Sequence, residues 1–233
     1  MARGESGTRC ELNAVTTATP SPMAEQDFAA LWPAWQADPA DPALRLGLLE
    51  AARAGVPAAA QALAVCAFEG HGQARDTSAA FAWSLRAAHG GFAPGAAMAG
   101  DFLLHSEPEH GACVRLADRA VHWHSMAGLA GHAQAALTAS DSHRMGRGTE
   151  RNFSKAWVFL RIALAMFDEP PAVTEILVPS LQTDLGDAAQ VGADAEADRL
   201  IAELPRADAS LGGYWSIAHA ALRSSAETGA ETA

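Results

Sequence analysis

Cysteine occurs three times, at Cys10, Cys66 and Cys113, and the three are widely scattered. An odd count without paired spacing argues against a disulfide framework and points to reduced thiols and a cytoplasmic address. Basic residues are also scarce: 16 Lys and Arg stand against 27 Asp and Glu, a net charge of −11. This balance argues against nucleic acid, whose phosphates need concentrated Lys and Arg, and against docking on an anionic membrane. Tyrosine occurs once, and no alternating β-branched run is present, so no sheet is expected. No stretch approaches ~18 uninterrupted apolar residues, so no spanning helix is expected. The opening M-A-R-G-E-S-G-T-R-C-E lacks the apolar core of a signal peptide.

What is present is alanine, within a hydrophobic content of 49%, which suits closely packed helices. The stretch from Gly70 to Gly91 carries the pattern. Gly70-His71-Gly72 makes a turn, Asp76 caps a helix, and that helix is expected to bury Ala80, Trp83, Ala87 and Ala88 before Gly91 ends it. Trp123 has the same neighbours in Ala120, Ala127 and Gly131. Phe159 has them in Ala156 and Ala163, with Phe167 in place of the glycine. Gly47 stands at the same mark upstream, followed by Ala51, Ala52 and Gly55. The marks at 47, 83, 123 and 159 are spaced by 36, 40 and 36 residues. The turn recurs independently, because Gly146-Arg147-Gly148 precedes Asn152 as Gly70-His71-Gly72 precedes Asp76. A fixed period of this length predicts stacked copies, since one helix pair cannot bury its apolar face alone.

The pattern G-x-G, then D, A-x-x-W and A-A-x-x-G resembles the Sel-one-like repeat, a relative of the tetratricopeptide repeat. The likeness covers roughly Asp41 to Phe167. Copy two departs at its turn, where His110 and Leu116 replace Gly and Asp, and copy three carries its tryptophan two residues early, at Trp157. The resemblance implies an all-α fold, a right-handed α/α superhelix of antiparallel helix pairs. It also implies a binding surface rather than an active site, with the first helix of each pair lining the concave wall. Relatives are mostly protein–protein adaptors, and the alanine- and arginine-rich composition fits a bacterium with GC-rich DNA. No cofactor is implied.

In order, residues 1–22 are read as a disordered tail, with Met23 as a candidate natural start. Residues 23–55 are read as capping helices and a half repeat. There Phe28, Leu31, Trp32 and Trp35 form a stripe that Pro33 limits or kinks. Residues 56–167 hold three repeats, with helices at about 57–69, 76–89, 93–105, 112–128, 132–145 and 152–167. Residues 168–223 are capping helices, at about 172–181 and 186–204. A final stripe of Leu211, Trp215, Ala218 and Leu222 either packs back or meets a partner. Residues 224–233 are read as frayed.

The expected groove is lined by Gln61, Val65 and Glu69, by Ala97, Asp101 and His105, and by Leu137, Asp141 and Met145, with Met98 and Thr138 beside them. Acidic spots at Glu69, Asp101 and Asp141 next to apolar side chains suit a protein or peptide segment bearing a basic residue and an apolar anchor. The alternative is a hydrolase or metal-assisted enzyme using Asp101, Asp141 and nearby histidines, as paired carboxylates can perform glycoside hydrolysis. Against it, His122 and His124 are two apart on a helix and point to different sides. His105, His110 and Cys113 complete no zinc set. Ser84 and Ser125 have no base at a useful offset. Gly70-x-Gly72 and Gly146-x-Gly148 lack a phosphate-loop context.

Overall fold

The computed structural model describes residues 22–105 and 117–204. Within them every regular element is an α-helix: α1 (Pro22–Ala37), α2 (Pro42–Arg53), α3 (Pro57–Glu69), α4 (Thr77–His89), α5 (Ala93–His105), α6 (Ala117–Leu129), α7 (Ala133–Met145), α8 (Phe153–Met166), α9 (Val173–Leu185) and α10 (Asp187–Glu203). The disordered-tail, frayed-end and final-stripe expectations fall outside the described residues, as does the region where His110, Cys113 and Leu116 stand.

The helix boundaries follow from local chemistry. Asp41 accepts the Ala43 N–H at 2.8 Å with Pro42 at the first helical position, which starts α2. Asp76 accepts from Ala79 N–H and Asn152 from Lys155 N–H, both at 2.9 Å, and start α4 and α8 in the same way. Gly70 and Gly146 close α3 and α7 in the left-handed region, at φ +82° and +70°. The second glycine of each G-x-G has a different task. A Cβ on Gly72 would stand 2.8 Å from the Ala40 carbonyl oxygen, and one on Gly148 would stand 2.2 Å from the Ala117 backbone. Each G-x-G therefore presses its backbone against a preceding segment. The backbone also repeats at the other end of the pairs: Val56, Phe92 and His132 donate N–H to Ala51, Ala87 and Ala127.

Each helix packs against the next, α3 also touches α5, α6 touches α8, and α10 leans on α8 more than on α9. This is a solenoid of antiparallel helix pairs. Small residues permit the close approach: Ala80, Ala120 and Ala156 are fully buried, as are Ala87, Ala127 and Ala163. The aromatic marks lie between pairs. Trp83 packs on the cluster of Leu48, Ala59 and Phe92, Trp123 on that of Ala88, Ala97 and Ala135, and Phe159 lies among Leu160, Ile162 and Leu181.

Several expectations need correction. Trp83 is half-buried rather than buried, with Arg86 lying 5.7 Å over its ring. Its indole covers an alanine layer at the rim, and a ring of that size does not fit within the layer. Helix α9 extends to Leu185, beyond the expected end at about 181, with Pro179 inside it, while residues 112–116, where the start of α6 was expected, lie outside the described residues. Helix α1 continues past Pro33, where Trp32 and Trp35, their rings tilted 31° and 5.0 Å apart, pack against the first core cluster.

Candidate partner-binding surface

Helices α3, α5 and α7 carry the residues expected to line a groove. Gln61 Nε2 donates to the Met98 sulfur at 3.3 Å, which joins α3 to α5. Val65 and Thr138 are half-buried, while Glu69, His105 and Met145 are exposed. Ala97 and Leu137, placed in the groove by the sequence register, are instead buried at 6% and 7% exposure. One helical step turns a side chain by about 100°, so half-buried Met98 and Thr138, rather than their preceding neighbours, reach the surface, and Met98 meets Gln61 there.

The three acidic positions differ in their partners. Glu69 pairs with Arg75 at 3.4 Å, and Arg75 lies 5.9 Å over Phe68. Asp141 is held by Arg144 at 2.7 Å and Arg147 at 3.2 Å, so two guanidinium groups balance its charge. Among the described residues no arginine pairs with Asp101. Its Oδ1 meets Nε2 of His124 at 3.0 Å, where the histidine side chain is 1% exposed and the aspartate 60%. Gly100 makes this possible, because a Cβ there would stand 2.7 Å from the His124 ring. The other ring nitrogen, Nδ1, is buried without a hydrogen-bond partner. With Nε2–H donating, Nδ1 carries only a lone pair, the cheaper group to leave unpaired. Asp101 and Asp141, which hold the same place in successive repeats, thus have separate partners.

His122 is exposed and His124 buried, on different sides of α6 as their spacing requires. The Ser84 hydroxyl donates to the Phe81 carbonyl at 2.8 Å. Cys66 is a buried free thiol whose sulfur receives the Trp35 indole N–H at 3.5 Å. Among the described residues no group of three or more His, Cys, Asp or Glu is arranged to hold a metal. Sequence reasoning missed two things. The Asp141–Arg144 pair was legible at i, i+3. The His124–Asp101 pair, 23 residues apart, had no local signal.

Two histidines in this region are pH-sensitive structural elements. His132 starts α7, accepting the Ala135 N–H at 3.1 Å on Nδ1. Burial lowers its pKa, an effect that nearby Asp101 opposes. His143 is buried, stacked on Phe159 at 5.6 Å, and burial with the Lys155 charge lowers its pKa too. Because the folded values lie below 6.5, the unfolded chain takes up protons first as pH falls. Stability is therefore full above about pH 6.5 and declines below it. Protonated His132 can no longer accept the cap hydrogen bond. The variant His132→Asn keeps a capping oxygen without a titrating group, so its denaturant midpoint should fall less than the wild-type midpoint between pH 7 and 5. Equal falls would place the acid sensitivity elsewhere.

The described chain is an α-helical repeat solenoid with a row of outward polar and apolar side chains along alternate helices. Among solved structures it is similar to a Sel1 repeat protein from Oxalobacter formigenes, at 25% identity over 59% of this chain and 38% of that one, with a TM-score of 0.52. It is also similar to a protective antigen of uropathogenic Escherichia coli strains displaying an SLR fold. That match has 20% identity over 69% of this chain and 33% of that one, with a TM-score of 0.54. The chain is a Sel1-like repeat protein in fold. It spans little more than a third of the length of these solved proteins. No family profile matches it, and no curated protein does. Among the described residues no helix is long and apolar enough to cross a membrane.

Proposed function

We propose that the chain is a non-enzymatic protein-interaction module that receives an extended or helical segment of a partner across α3, α5 and α7. The observation that carries this reading is Asp101, an exposed carboxylate with no arginine partner among the described residues, held by a buried histidine that Gly100 makes room for. Such a carboxylate is oriented before a ligand arrives and accepts a lysine or arginine at little ordering cost. Met98, one turn before it on α5, supplies apolar contact, and methionine adapts to varied shapes. Asp141, already held by Arg144 and Arg147, has no role in recognising a cation. A charge-assisted hydrogen bond contributes about 1.5–3 kcal/mol, so losing Asp101 should weaken a basic ligand by roughly ten- to a hundredfold.

The test is selection from a displayed random-peptide library, followed by affinity measurement on the enriched sequences. The wild-type chain should enrich Lys or Arg at one position beside an apolar residue. Asp101→Asn should lose that enrichment, and Asp141→Asn should retain it. Identical enrichment by wild type and Asp101→Asn would sink the assignment.

A further inference from the structure

The last helix pair has an apolar side that nothing described covers. Helix α10 turns Ala193, Ala197 and Leu204 towards α8, and its opposite side carries exposed Val191 and Ala195. On α9, Thr174 and Leu181 face inward, while Val173 and Ile176 point out. Val191 and Ile176 are each 72% exposed. Inside the solenoid the corresponding sides of helix pairs are covered by the following pair, and among the described residues no pair follows α9–α10.

We infer that residues 209–223 of this chain lie across this side as a closing helix. The chain leaves α10 at Leu204, which is half-buried against the core, and continues through Pro205 to residue 233. A proline directly after the last residue of α10 and its cap disfavours continuation of that helix, and short connections join antiparallel neighbours. Fifteen helical residues span about 22 Å, close to the length of α10. Leu211, Trp215, Ala218 and Leu222 form one stripe at helical spacing, the complement of an apolar face. Charge agrees as well. Helices α9 and α10 carry seven carboxylates against Arg199 alone, and Glu175, Asp184 and Asp187 have no ion pair among the described residues. Residues 205–223 bring Arg206 and Arg223 against Asp208.

Hydrogen exchange followed by mass spectrometry on the full chain decides this. Amides of residues 211–222 should exchange at least roughly tenfold slower than in an unstructured peptide. A charge at an exposed surface position is ordinarily silent. Val191→Asp and Trp215→Asp should each nonetheless return those amides to the unstructured rate, with α3–α8 unchanged. Unprotected amides in the wild type would overturn the proposal. So would protection that survives Val191→Asp and Ile176→Asp, or protection that disappears on dilution together with a dimer, which would give the face to a second copy.

Discussion

Trp157→Ala is expected to cost about 3–5 kcal/mol, the range for removing a buried tryptophan, and to lower the melting temperature by roughly 6–20 °C at this chain length. Trp157 is 3% exposed within the cluster of Leu160, Ile162 and Leu181. Its indole N–H donates to Asp194 of α10 at 2.8 Å. Asp194 also receives Arg161 of α8, whose other arm reaches Asp198 at 2.8 Å. The substitution therefore opens a cavity and also removes one donor from a carboxylate that fastens α10 to α8. Trp157→Phe separates the two effects, since it keeps most of the volume and loses only the donor, and should cost a minor part of the total. Thermal unfolding followed by circular dichroism measures both. A loss under about 1 kcal/mol for the alanine variant would mean that α10 is not held through this residue.

Gly95→Ala is expected to destabilise the chain by about 1–3 kcal/mol through overpacking, although the same change in an open helix stabilises by about 1 kcal/mol. Gly95 lies in α5, and a Cβ there would meet the Ala87 methyl at 2.5 Å and the Ala88 backbone nitrogen at 2.9 Å. Both belong to α4, and backbone cannot move aside as a flexible side chain does. The missing methyl lets two helices of adjacent pairs touch. A midpoint unchanged or raised in urea would show that α4 and α5 are further apart than described.

The pattern of Ala80, Trp83 and Ala87, and its echoes around Trp123 and Phe159, was legible because helix stacking depends on small residues at a fixed period. That period is written along the chain. Caps and turns were legible for the same reason, since Asp76, Asn152, Gly70 and Gly146 act on residues within a few positions of themselves. The groove was only partly legible. Gln61, Asp101 and Asp141 could be placed on one set of helices, but a one-residue error in register put Ala97 and Leu137 where Met98 and Thr138 stand.

The sequence by itself determined that this protein is a stack of helical hairpins, where the caps and turns of several of them fall, and that its net charge is acidic. Those properties depend on local backbone preferences and on periodic burial, both of which operate over a few turns of chain. Only the tertiary structure decided how the acidic side chains are partnered. Asp101 and Asp141 hold the same place in successive repeats, yet Asp141 meets arginines three and six residues along the chain, while Asp101 meets a histidine 23 residues away, buried over Gly100. Charge and desolvation act through space, so the Asp101–His124 pair came into being only when α5 and α6 packed together.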